Sequence, residues 1–271
     1  MRVSPALLGL ALCACGSTGG GLVTFHAAAA GPADAFAGQP LAFSTSPLDA
    51  SGQATQYQVT LTRARLHIGA LYLNRSVPLS GAQAQSCVLS GIYSGQVTSP
   101  LDVDLLSPSP QPFPSDGEGT ADLSETGEVW LFGTDPFASD DTTVIVDVAG
   151  TAVQGAASIA FTGRFTIGAK RLIPPSNPAL PGQLPLCKQR IITEQLATPF
   201  KLAQGGTLLL RVDPRPWFAN VDFAQLPPAD ARNPDPARRQ FYGDGTAGVP
   251  DANFYQNLHT TSNYAFNWQS P

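Results

Sequence analysis

Along most of the chain, apolar and polar residues alternate with a period of two, the signature of strands with one face turned to a core. Leu22 to Ala28 is the first such run, with Val23, Phe25 and Ala27 on one face, and Leu41 to Ser44 is a short second one. Tyr57, Val59 and Leu61 alternate with polar neighbours, and the pattern continues through Ala64, Leu66, Ile68, Ala70 and Tyr72. This predicts either one long bent strand or two strands with a bulge near Thr62. Further runs are 92–97, 101–106, 128–132, 143–148, 158–167, 190–195 and 207–212, and Tyr264, Phe266 and Trp268 alternate as a final strand with that face inward. Gly133, Asp140-Asp141, Gly155 and Gly205-Gly206 fall between runs as turns.

No helical period is sustained. A helical turn is expected within 227–239, and a short helix over 251–258 with Asp251 as its N-cap. Residues 107–119 are rich in Pro, Ser and Gly and are expected to be a loop, as are residues 174–185, which hold five prolines. About ten strands at this spacing predict an all-β fold, a β-sandwich or alternatively an open or closed β-barrel, in one domain from residue 22 to 271.

Composition agrees. Charged residues are 13% of the chain, against about 25% in typical globular domains. The 26 glycines and 25 prolines fit short strands joined by turns better than a helical bundle, which needs charged outer faces. The net charge is -5, and the adjacent basic pair Arg238-Arg239 is read as a solvated loop. No basic stripe exists to track a phosphate backbone, so nucleic acid is not an expected partner.

The first residues differ from the rest. Met1-Arg2 is a short positive start, and Val3 to Ala14 is an apolar run too short to span a bilayer, which takes about 20 residues. The run ends Leu12-Cys13-Ala14-Cys15. This resembles the lipobox of bacterial lipoproteins: Leu three positions before the cut, a small residue just before it, then Cys. The resemblance implies cleavage after residue 14, diacylglycerol linked to Cys15 and acylation of the new amine. Gly16 rather than Asp follows, which in enterobacterial lipoproteins implies export to the outer membrane. Residues 15–21 then form a lipidated cysteine and a Gly/Ser tether of roughly 13 Å reach. More than one acyl chain gives stable membrane anchoring.

With Cys13 removed and Cys15 lipidated, Cys87 and Cys187 remain as one pair in an exported protein, and a disulfide is expected. Closing a loop of about a hundred residues contributes up to ~4.7 kcal/mol in the chain-entropy model.

Candidate chemistry is sparse. His26, His67 and His259 are the only histidines, and three imidazoles make a transition-metal site if the fold gathers them. Asp102 and Asp104 share one strand face, while Asp116 with Glu118, Asp140-Asp141 and the stretch from Asp244 to Asp251 offer loop oxygens of the kind calcium takes. No nucleophile elbow, H-E-x-x-H or P-loop is present, so a non-enzymatic protein without a cofactor is expected. Trp217, Phe218 and Trp268 are ligand contacts if exposed and core if buried. The expectation is a membrane-anchored envelope lipoprotein that binds a glycan or an envelope protein, or alternatively one that binds metal through the histidines or loop acids.

Overall fold

The computed structural model describes residues 20–49, 51–76, 93–134, 141–167, 190–243 and 248–271. All four cysteines, Asp140, Asp244 and the proline-rich run 174–185 lie outside the described residues.

The first strands are β1 (Leu22–Ala30), β2 (Leu41–Thr45), β3 (Tyr57–Ile68), β4 (Ala70–Asn74) and β5 (Tyr93–Val97). Then come β6 (Leu101–Asp104), β7 (Gln111–Pro112), β8 (Gly117–Thr120), β9 (Leu123–Trp130), β10 (Val144–Gln154) and β11 (Ala157–Thr166). The chain continues through β12 (Ile191–Lys201), β13 (Thr207–Val212), β14 (Arg238–Gly243), helix α1 (Val249–Leu258) and β15 (Tyr264–Gln269). The all-β class holds, in two sheets.

One sheet has nine strands in the order β12-β9-β4-β5-β8-β1-β13-β15, with β7 also paired to β1, and is nearly closed into a barrel. Its terminal strands β12 and β15 meet through rings rather than strand pairing. Phe200 lies parallel to Trp268, at 8° and 5.5 Å between centroids. Phe266 sits over Gly127 of β9, where a Cβ would come within 2.5 Å of its ring. Tyr264 is buried, and Phe266 and Trp268 pack against the core, so the last strand turns its alternating aromatics inward as expected.

The second sheet runs β14-β11-β10-β3-β2. The long strand β3 shares one edge between two partners, β2 along Tyr57–Leu61 and β6 along Arg65–Ile68. Against β10, Leu61 pairs with Gly150 and Arg63 with Ala149, so Thr62 is the extra residue of a bulge at the expected place. The chain then crosses to the nine-strand sheet at Gly69, where a Cβ would stand 2.6 Å from the Phe132 carbonyl oxygen. Ala70 and Tyr72 therefore belong to a separate strand. Inward residues of both sheets, among them Leu66, Val148 and Phe161 with Leu71, Val129 and Leu210, form one continuous core.

Five local expectations are corrected. The loop over 107–119 contains β7 and most of β8. Gly117 and Gly119 are in β8 because Phe25 and Leu202 fill the space: a Cβ would lie 2.4 Å from the Phe25 ring and 2.7 Å from a Leu202 methyl respectively. Strand β9 begins at Leu123, five residues before the expected run. No helix forms over 227–237. Arg238-Arg239 opens edge strand β14, parallel to β11, and is not a loop. Helix α1 starts at Val249 with Gly248 as its N-cap, which places Asp251 inside the first turn, buried.

Trp217 and Phe218 lie in a 3-10 turn (Arg215–Phe218) and are fully buried. Trp217 meets Phe254 of α1 edge-on at 6.0 Å, and Phe218 lies among Phe161, Phe223 and Phe254. Both are core, as large aromatics between a helix and a sheet are expected to be, and neither is a ligand contact. Trp268 is part of the β12–β15 seam.

Candidate functional site

An open groove of about 500 Å³ runs over the outer face of the nine-strand sheet where β1, β8 and β5 lie side by side. The period-two alternation that turns Val23 and Phe25 inward turns Leu22 and Thr24 outward, and Glu118 of β8 and Gln96 of β5 do the same on neighbouring strands. Tyr93 and Thr120 complete the lining from the strand ends, and Gln204 reaches in from the turn between β12 and β13. Gln204 is fixed there: its Nε2 donates to Thr24 Oγ1 at 2.7 Å, and its Oε1 accepts from Thr24 N at 3.0 Å. The lining thus combines one aromatic ring and one leucine with amides, hydroxyls and a carboxylate.

Tyr93 leads from the groove to a buried acid. Its ring packs on Tyr72 at 5.0 Å between centroids, and Tyr72 packs on Trp130 at 4.8 Å. Behind them Glu128 is 1% exposed. One carboxylate oxygen accepts from Asn74 Nδ2 at 2.9 Å and the other from Trp130 Nε1 at 2.8 Å. Burial pushes Glu128 above the ordinary carboxylate range, and these two donors only partly counter it. Burial, then the nearby Glu128 charge, pushes both Tyr72 and Tyr93 hydroxyls upward. Asn74 Oδ1 is buried, with no hydrogen-bond partner among the described residues. Alternation in β4 and β9 places this group on the sheet face opposite Leu71, Leu73 and Val129, which are in the core.

The end of the sheet beside the groove receives the amino-terminal chain. Gly20 N donates to both oxygens of Asp122 at 3.2 Å, and Gly21 O accepts from Ala121 N at 2.8 Å. Asp122 is also paired with Arg75. Gly20 and Gly21, expected to be tether, are thus held by the β8–β9 turn.

The structure does not gather the three histidines at one site. His26 Nδ1 is 2.9 Å from Asp116 Oδ1 on the nine-strand sheet. His67 Nδ1 is 2.7 Å from Asp102 Oδ1 on the other sheet, with its ring turned away from Leu66 and Ile68. His259 Nδ1 bonds the Tyr255 carbonyl at the end of α1. Asp104 accepts from Leu106 N within its own turn. Asp141 is buried, accepts from Gly133 N and Thr143 N at 3.0 Å each, and lies 3.8 Å from Arg190. Among the described residues, no three His, Cys, Asp or Glu side chains are grouped to hold an ion. Among the described candidate carboxylates, Glu118 lines the groove. Tyr72, Asn74, Tyr93, Gln96, Glu128 and Gln204 belong to no sequence motif; alternation alone assigns several of them to an outer face.

Comparison with family models, with characterised proteins and with solved structures finds no match to this chain.

Proposed function

We propose that the chain is a lipid-anchored, non-enzymatic binding module of the cell envelope whose groove receives a hydroxyl-rich ligand, an envelope glycan. The observation that carries this is the side-by-side placement of the Tyr93 ring with Gln96, Glu118, Thr120 and Gln204 in one open groove. A sugar presents an apolar C–H face and a rim of hydroxyls, and an aromatic ring flanked by amides and a carboxylate answers both. Tyr93 is backed by Tyr72, so little side-chain freedom is lost on stacking.

The anchor rests on Leu12-Cys13-Ala14-Cys15. Placement in the outer membrane rests on Gly16. Intact mass spectrometry of the protein from a bacterial membrane tests the anchor. The expected mass is that of a chain starting at Cys15, plus acyl chains, minus two hydrogens for a Cys87–Cys187 disulfide; an unacylated mass overturns it. Calorimetric titration of a soluble Cys15→Ser protein with peptidoglycan fragments and envelope polysaccharides tests the groove. Heat of binding that disappears in Tyr93→Ala is the expected result. Binding that survives this change, or its absence across both ligand sets, sinks the assignment.

A further inference from the structure

The groove lies at one rim of the nine-strand sheet, and strand register defines what that rim contains. Leu22 begins β1, Tyr93 begins β5, Leu123 begins β9, and β4, β8 and β12 end there. The opposite rim carries Ala30, Trp130 and Tyr264. Among the described residues, three large apolar or aromatic side chains are exposed at the first rim: Leu22 at 89%, Leu123 at 40% and Tyr93 at 36%. Lys201, exposed, is the register partner of Leu123, while Asp122 is neutralised by Arg75.

We infer that this rim rests on the bilayer carrying the acyl chains of Cys15, with Leu22, Leu123 and Tyr93 in its interfacial layer. The inference depends on the anchor proposed above. Its geometry follows from chain length. Gly20 is fixed to the β8–β9 turn, so five steps of chain separate it from Cys15. Fully extended, they span at most about 18 Å. The nine residues of β1 rise about 30 Å along the sheet. The tether is therefore shorter than the sheet is long, and the far rim cannot face the membrane.

The chemistry agrees with the geometry. Leucine enters the acyl boundary, tyrosine keeps its hydroxyl at headgroup level, and lysine extends its amine to phosphate. The contact is mainly apolar, because Glu118 in the adjoining groove opposes a uniformly basic face. A groove walled by Leu22 and Tyr93 then opens at the bilayer surface, within reach of membrane-attached glycan.

Hydroxyl-radical footprinting tests this on the acylated protein in phosphatidylethanolamine–phosphatidylglycerol vesicles against the soluble Cys15→Ser protein. Oxidation of Leu22, Leu123 and Tyr93 is expected to fall several-fold on vesicles. Phe36, Val249 and Tyr242, exposed elsewhere, are expected to keep their soluble rates. Unchanged oxidation at Leu22 and Leu123, in a protein whose mass shows acyl chains, overturns docking and leaves the anchor standing. An unacylated mass removes both. In an acylated Leu22→Gln/Leu123→Gln protein, Tyr93 oxidation should return toward its soluble rate; full protection there also overturns the inference. Both leucines are already exposed, so the double variant retains its fold.

Discussion

Trp130 Nε1 donates to Glu128 Oε2 at 2.8 Å, from two residues along the same strand and on the same face of the sheet. The bond points a buried indole at a buried carboxyl, and burial still raises the protonation range of that carboxyl. A raised folded value means that the native state holds the proton more tightly than the unfolded chain. Glu128 thus contributes stability that is fully present below the ordinary glutamate value near 4.5 and is lost as pH rises through the folded value. Glu128→Gln, which mimics the protonated form, is expected to flatten this loss. Asp34, held low by hydrogen bonds from Arg215, and Asp49, held low by the Ser51 hydroxyl, act in the opposite sense. The check is therefore the difference in melting temperature between variant and parent from pH 4 to 8, expected to shift steadily in favour of the variant. A pH-independent difference contradicts it.

The ring seam makes Gly127 sensitive to one added carbon. Its Cβ would lie 2.5–2.7 Å from three atoms of the Phe266 ring. Gly127→Ala is expected to displace Phe266 and lower stability by about 1–3 kcal/mol, as overpacking does, measured by urea unfolding. A substitution at Gly155, a turn glycine with no atom within 4 Å of its Cβ, leaves packing alone and is strained only by its positive φ of 56°. Gly155→Asn, a residue that tolerates this conformation, is expected to be much milder.

A buried hydroxyl–carboxylate pair links the two-sheet core to the turn that follows Trp217. Tyr57 OH donates to Asp222 Oδ1 at 2.7 Å, while Asp222 also accepts from Ala224 N and from Gln225 Nε2. Tyr57→Phe removes one of these donors and is expected to cost about 1.5–3 kcal/mol, the range for hydrogen bonds to charged groups. Thermal unfolding reads this as a drop of several degrees.

Gln96 and Tyr93 are predicted to separate binding from folding. Both line the groove and neither belongs to the core cluster. Gln96→Ala and Tyr93→Ala should each weaken glycan binding at least tenfold by calorimetry, while the melting temperature moves less for Gln96→Ala than for Tyr57→Phe. A large stability loss at Gln96 without a change in binding would assign the residue to packing.

Strands whose inward positions are filled by large residues are readable from sequence: β13 is predicted with its observed limits, and the β3 bulge falls at Thr62. Strand β8 is not, because its inward glycines yield their space to Phe25 and Leu202, which come from 117→25 and 119→202 across the fold. Strand β14 reads as a charged loop because it is an edge that buries Phe241 alone. The same limit applies to the site. Alternation assigns Glu128 to the face opposite Val129, but no local pattern says that this face is covered or that Tyr72 and Trp130 flank the acid. The groove draws on β1, β5, β8 and the turn after β12, so its neighbours are dispersed over the chain.

The bond between Thr24 and Gln204 joins positions 180 residues apart. Strand β1 is zipped in parallel to β13, and the seam is closed by β15. A chain delivered amino-terminus first has β1 long before its parallel partner β13 exists. Closure of the nine-strand sheet must wait for residues 264–269, and loop-closure entropy over such separations makes folding slow. Until then the apolar face of β1 and the open edges of its neighbours are available to other chains. Assembly of this fold is thus a timing problem, in which the last strand to emerge decides when the first is safe.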